Sequence, residues 1–316
     1  MQAIKPSLGI SACLMGDEVR YNGGHKLSQL CSRELTQHFD FIKVCPEVGI
    51  GMSTPREPIR LVGDPQMPRA VGTVDRSRDV TDALASYGER IAGELQGISG
   101  YIFMQQSPSC GLFRVKVYQD GGRPSEPGRG IFAAHFCARH PDLPVEEAGR
   151  LMDPVLRENF ITRVYAYAEW QRLLAEGLTR RSLIAFHSRY KYLLMATDPA
   201  RYKSLGRLLG DLAQHDLASL APRYFSELMT ALRKCATRGT HSNVLQHLSG
   251  YLKRALSPDE KQEMQQLIGQ YRDGVVPLVV PLTLLKHHFR RHPDRYIADQ
   301  AYLQPHPEPL SLRNAL

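Results

Sequence analysis

No two of the six cysteines stand within four residues of one another. That removes the C-x-x-C pairs on which zinc ribbons, thioredoxin-like redox motifs and most ferredoxin-type sites depend. Six cysteines in 316 residues are also too sparse for a secreted disulfide framework, so reduced thiols and a cytoplasmic setting are expected. No apolar run approaches the length of a membrane span, and the opening Met1-Gln2-Ala3-Ile4-Lys5-Pro6 lacks the apolar stretch of a signal peptide. No membrane partner is expected. Internal repeats are absent too, which sets aside solenoids and propellers.

What is present divides in two. The length suits two domains, each with its own core. Residues 1–150 hold 17 Lys and Arg against 17 Asp and Glu, while residues 151–316 hold 23 against 15, so the whole net charge of +8 lies in the second half. A neutral half beside a basic half reads as one part doing chemistry and another holding a polyanion.

The pattern of hydrophobicity divides at the same place. Short apolar runs at Leu8–Ala12, Phe41–Val44 and Tyr101–Met104, with a further one from Arg114 to Tyr118, read as strands. Helical spacing over His25–Phe39, Asp79–Gln96 and Ile131–Arg139 separates them, Gly49–Gly72 reads as a long loop and Asp120–Gly130 as a flexible surface tract. This is an α/β, Rossmann-like domain over residues 1–152 with a mostly parallel sheet. From about Asp153 the pattern is helical almost throughout: Leu156–Leu174, Ser182–Met195, Ala200–Leu212, Tyr224–Ala236, Asn243–Leu256 and Pro258–Tyr271. An all-α domain is therefore expected over residues 153–316, ending in a Pro-rich tail, Pro305–Leu316.

Three cysteines stand apart from the rest. Cys31, Cys137 and Cys235 fall inside helical patterns beside apolar neighbours and read as small buried hydrophobes. Cys13, Cys45 and Cys110 instead each follow a predicted strand, in turns of specialised composition: Ser11-Ala12-Cys13-Leu14-Met15-Gly16, Cys45-Pro46-Glu47 and Ser107-Pro108-Ser109-Cys110-Gly111. Ligands of open α/β sheets bind beyond the carboxyl ends of the strands. Three thiols delivered there read as a metal centre with three protein ligands and one open position. Soft thiolates select zinc, copper(I) or an iron–sulfur cluster, and the sequence does not choose among them. Arg20, Tyr21, Asn22 and Arg56 lie in turns expected at the same edge, where they would hold a base or a phosphate; Arg56 equally suits a structural ion pair.

These motifs, taken with Arg20-Tyr21-Asn22-Gly23, Gly51-Met52 and Pro55-Arg56, resemble the thiouracil desulfidase family over roughly residues 5–150. The second half resembles a helical domain of unknown function often fused to it, through Phe186-His187-Ser188-Arg189-Tyr190-Lys191, His241-Ser242-Asn243-Val244-Leu245-Gln246-His247 with Gly250-Tyr251, and Val280–His288. The resemblance implies a 4Fe–4S cluster on Cys13, Cys45 and Cys110, acid–base roles for Glu47 and Ser107, and removal of sulfur from 4-thiouridine in tRNA. Where the family often has Asp after the tyrosine, this chain has Asn22. Ser109, two residues from Ser107, is an alternative proton carrier or substrate contact.

In the second half, Arg180, Arg181, Arg189, Lys191, Arg201, Lys203 and Arg207 are accompanied by one acid, Asp198, and interleaved with Tyr190, Tyr192 and Tyr202. This reads as an RNA-contacting stretch, basic groups meeting phosphates. Arg233, Lys234 and Arg238 form a second candidate patch, and His241, His247, His287 and His288 read as structural or RNA-facing rather than metal-binding. Two other readings stay open: a desulfidase of free thiolated bases whose helical domain binds a protein, and a non-catalytic RNA-binding protein with a structural zinc. A monomer is the default state.

Overall fold

A computed structural model describes residues 5–119, 122–124 and 126–316. It divides into two compact units, Met1–Met152 and Asp153–Leu316.

The first unit is built on strands β1 (Ser7–Ser11) and β2 (Asp40–Val44), the single-turn helix α1 (Pro46–Gly49), strands β3 (Ile59–Val62) and β4 (Arg69–Gly72), helix α2 (Thr81–Glu94), strands β5 (Tyr101–Phe103) and β6 (Val117–Tyr118), helix α3 (Ile131–Arg139) and strand β7 (Val145–Glu147). Four strands form one sheet in the order β2-β1-β5-β7, and every pairing in it is parallel. Leu8 and Ile10 of β1 are fully buried, as a central parallel strand requires. Gly9 between them is needed because a Cβ there would run into the ring of Tyr101. Tyr101 and Phe103 stack at 4.0 Å and meet Phe132 and Phe136 of α3. Together they fill the layer between sheet and helix.

Several expectations are corrected. The tract Gly49–Gly72 is not all loop: Ile59 and Leu61 are buried and alternate with half-buried Arg60 and Val62, the period of a strand. Strands β3 and β4 pair antiparallel, and the short strand at Val117–Tyr118 joins β3 in this second sheet rather than the main one. His25–Phe39 is no regular helix; Leu30–Glu34 is a π turn and Leu35–Gln37 a 3-10 turn. Strand β7 follows α3, in a stretch to which the sequence pattern assigned no element. Of the surface tract at 120–130, Asp120, Gly121 and Ser125 lie outside the described residues.

The second unit comprises α4 (Pro154–Ala175), α5 (Arg180–Thr197), α6 (Pro199–Gly210), α7 (Leu217–Leu232), α8 (Arg238–Ser249), α9 (Pro258–Arg272), α10 (Val279–Arg291) and α11 (Arg295–Ala298). Asp153 caps α4 ahead of a proline at its first position, and α5, α8 and α9 open on reciprocal capping boxes. Trp170 stacks on Phe225 at 4.7 Å and 5° in the centre of the core. The Pro-rich tail packs against this unit. Glu158, 6% exposed, accepts from the backbone of Leu312 and pairs with Arg313 at 3.3 Å. No helix among the described residues is long and apolar enough to cross a membrane.

Candidate active site

Because β1, β2 and β5 run parallel, their carboxyl ends share one edge, and each is followed by one of the three singled-out cysteines. Cys13 sits in the 3-10 turn Ala12–Met15, closed by Gly16 at φ +96°, a left-handed position that favours glycine. Cys45 precedes α1, whose proline starts the turn and sets Glu47 in it. Cys110 lies in the loop after β5. That loop is bound to the start of α3 by hydrogen bonds from Gly130, Ile131 and Ala133 to the carbonyls of Gly111, Pro108 and Ser109. A Cβ at Gly130 would lie 2.6 Å from the Ser109 carbonyl, so only glycine lets α3 approach the loop this closely.

Cys13, Cys45 and Cys110 are free thiols that line one cavity of about 410 Å³, together with Arg20, Tyr21, Lys26, Glu47, Arg56, Gln105, Gln106, Ser107 and Ser109. Burial pushes the Cys13 thiol up to about 11, helped by Cys45 and opposed by Arg20. Burial raises Cys45 as well. Cys110 is raised furthest, burial outweighing a hydrogen bond with Ser11. Burial thus favours the neutral thiol at all three, and a metal bound there would displace their protons. Among the described residues no three His, Cys, Asp or Glu side chains gather tightly enough for a single ion. Three soft donors lining one cavity are a set that zinc, copper(I) or an iron–sulfur group can accept.

Beside the thiols runs a connected polar chain. Arg56 donates to one oxygen of Glu47 from Nε at 2.8 Å, with Nη2 at 2.6 Å, and its side chain is only 2% exposed. Its Nη2 also donates to the carbonyl of Val19 at 2.8 Å, and its Nη1 to that of Ser53 at 3.1 Å. Ser109, 1% exposed, donates from its hydroxyl to the other Glu47 oxygen at 2.7 Å. The Ser107 hydroxyl lies 2.9 Å from that of Ser109 and accepts from the backbone N–H of Cys110 at 3.1 Å. Ser109, not Ser107, is thus the direct neighbour of the carboxylate. Arg56 takes the ion-pair alternative, its fork spent on Glu47 and backbone carbonyls.

Arg20 and Tyr21 line the cavity, but Asn22 does not. Its side-chain oxygen accepts from the N–H of Gly24 within its own turn. Lys26, Gln105 and Gln106 were missed by sequence reasoning. The signal for the two glutamines was their position, polar and directly after β5. Gln106 adopts φ +57°, and among the described residues the buried Oε1 of Gln105 has no hydrogen-bond partner.

In the second unit the basic stretch separates into three kinds of residue. Arg189 is held by Glu169 at 3.1 Å and by the carbonyl of Asp299, Arg180 by the carbonyls of Leu212 and His215, and Arg201 by Glu227 and Asp198. Lys191 lies over the rings of Tyr192 and Tyr296. Arg181, Lys203 and Arg207 are exposed. Tyr190 and Tyr192 are core residues, 1% and 2% exposed, and Tyr202 is partly buried against the same core. The interleaved aromatics therefore do not face solvent as the sequence pattern had them. In the second patch Lys234 pairs with Asp198 at 2.6 Å, and Arg238 donates to the carbonyls of Tyr271 and Val276. His241 is half-buried, its Nδ1 2.8 Å from the Tyr302 hydroxyl.

Comparison with known proteins divides the chain along similar lines. Residues 8–148 match the family described as 2-thiouracil desulfurase, and residues 191–307 match a family described as a protein of unknown function, DUF1722. YbgA of Escherichia coli (strain K12), named as uncharacterized, is 33% identical over 159 residues, covering 50% of this chain and 94% of its own. YbbK of Bacillus subtilis (strain 168), also named as uncharacterized, is 34% identical over 108 residues, covering 32% of this chain and 71% of its own. A solved structure described as a 4Fe-4S-dependent thiouracil desulfidase, TudS, is 30% identical and covers 47% of this chain and 95% of its own, at a TM-score of 0.36.

Proposed function

We propose that this chain, which belongs to the 2-thiouracil desulfurase family, is a cytoplasmic iron–sulfur desulfidase that converts 4-thiouridine in tRNA to uridine with release of sulfide. The reaction is a net hydrolysis: water supplies the carbonyl oxygen, sulfur leaves as hydrogen sulfide, and no electrons are exchanged. One observation carries the reading. A carboxylate, held on both oxygens, faces the same cavity as three free thiols at the carboxyl ends of parallel strands.

Cys13, Cys45 and Cys110 would hold the cluster. When bound, a 4Fe–4S group supplies an open iron whose softness matches a thiocarbonyl sulfur and whose Lewis acidity polarises C=S. The chain's own residues do the rest. Glu47 is an acceptor-only group, oriented by Arg56, and takes a proton from attacking water either directly or through Ser109. Ser109 and Ser107 form a two-hydroxyl relay that returns the proton to the pyrimidine as the C–S bond breaks. Arg20, Tyr21 and Lys26 line the mouth, where a nucleotide's base and phosphate would be held. A thio-base stacked in folded tRNA must be extruded to enter.

The second unit supports the choice of RNA over a free base through charge. The excess of +8 falls in residues 151–316, and Arg181, Lys203 and Arg207 stand exposed on α5 and α6, free to meet phosphates. The test is incubation of anaerobically prepared protein with thiolated tRNA and, separately, with free thiouracil and 4-thiouridine. Loss of thiouridine from tRNA at low ionic strength, weakening with added salt, is the expected result. Turnover of free thio-bases with none on tRNA would overturn the RNA assignment and leave the desulfidase.

A further inference from the structure

Among the described residues of the second unit, Tyr251 is the one aromatic that ranks among the exposed large hydrophobics, at 44% exposure. It does not stand alone. Its ring stacks on that of Tyr296 at 6.0 Å and 26°, and its hydroxyl accepts from Tyr192, which is anchored in the core, at 3.2 Å. The Lys191 ammonium lies 5.8 Å from the centre of the Tyr296 ring and 5.2 Å from that of Tyr192. Lys253 and Arg254 follow Tyr251 and are exposed. Asp294, beside Tyr296 in sequence, spends a carboxylate oxygen capping α11 through the N–H of Ile297.

We propose that Tyr251 and Tyr296 form a stacking platform for an unpaired base of the bound RNA, with Lys191, Lys253 and Arg254 meeting its phosphates. This rests on the RNA reading above and adds where an unstacked base is held. A ring exposed to this degree costs hydration unless it is covered. The stack beneath it and the hydrogen bond from Tyr192 fix its orientation in advance, so little rotamer entropy is lost when a base lies on it. Lys191 over the Tyr296 ring and the exposed Lys253 and Arg254 next in sequence to Tyr251 bring together the charge and π-surface that single-stranded RNA recognition combines.

The experiment is a binding series with the holoenzyme and a fluorescently labelled, unthiolated tRNA transcript over a range of salt. Tyr251→Ala is expected to weaken binding roughly fivefold to a hundredfold while leaving the slope of log K against log salt unchanged, since no phosphate contact is lost. Tyr251→Phe should bind as the wild type does, and Lys253→Ala should lower the slope by about 1. Turnover of free 4-thiouridine by Tyr251→Ala should match the wild type. As a readout independent of any variant's folding, photocrosslinking of 5-iodouridine-labelled transcript to the wild type should give adducts at Tyr251 or Tyr296. Wild-type affinity in Tyr251→Ala, or crosslinks only elsewhere, overturns the platform and spares the RNA reading; failure of the wild type to bind any transcript overturns both.

Discussion

Both oxygens of Glu47 are oriented by a partner, one by Arg56 and the other by Ser109. Replacing Glu47 with Gln keeps the shape but removes the proton acceptor, and should lower kcat about a hundredfold to ten-thousandfold with iron content unchanged. Ser109→Ala should cost more than Ser107→Ala, because it removes the hydroxyl that touches the carboxylate; equal losses, measured as kcat on loaded enzyme, would break the proposed order of the relay. Arg56→Gln leaves a mostly buried carboxylate without its cation, so unfolding should become easier by about 3–5 kcal/mol, read by denaturant titration. Little of this connectivity was legible beforehand. The thiols, Glu47 and both serines stood out by their turns, but spacing alone could not say which hydroxyl faces the carboxylate. Arg56 was equally suited to substrate or to an ion pair, since that choice depends on a contact between two loops.

Strand β1, strand β5 and helix α3 together position the Cys110 loop. Gly130→Ala would push a methyl group into the Ser109 carbonyl and displace the segment carrying Cys110, so iron content should fall along with activity while the helical unit unfolds normally. Elements with strong local patterns were read closely: the start of α3 at Ile131, the strands leading to the three thiols, and helices α4, α5, α6 and α9; α7 and α8 begin at Leu217 and Arg238, well before the Tyr224 and Asn243 read from the pattern. Strands β3 and β4 were hidden in a Pro- and Gly-rich tract because each has only four residues and owes its existence to tertiary pairing. Strand β7 was hidden for the same reason. In the helical unit, burial lowers His241 to about 3, with Arg313 adding to the effect, and lowers His187 to about 4, with Lys191 adding. A histidine lowered on folding takes up a proton when the chain unfolds below its ordinary value near 6.5. The stability it contributes is therefore complete above that pH and is lost as pH falls toward 4 and then 3. Urea unfolding of the helical unit should show a midpoint falling between pH 7 and pH 5, with a slope of up to about 1.4 kcal/mol per pH unit for each histidine. His241→Gln should flatten that dependence.

On the scale of the chain, the neutral unit carries the thiols and the basic unit carries the charge, a division already visible in counts of charged residues. The sequence was less informative about which basic groups are available. Arg180, Arg189 and Arg201 are drawn into contacts with carbonyls and carboxylates, while Arg181, Lys203 and Arg207 are exposed, and no composition count separates the two sets. Removing the exposed three together should reduce the salt dependence of tRNA binding by about 3 in slope without changing kcat on free 4-thiouridine. Sulfur removal itself depends on an iron group held by the three thiols. The most direct test is iron and inorganic sulfide content of oxygen-free preparations of the wild type beside Cys13→Ser, Cys45→Ser and Cys110→Ser. The wild type should contain both in equal amounts, and each variant should lose them together with sulfur removal. Iron-free wild type that still releases sulfide, or any one variant that keeps both its iron and its turnover, would contradict the account.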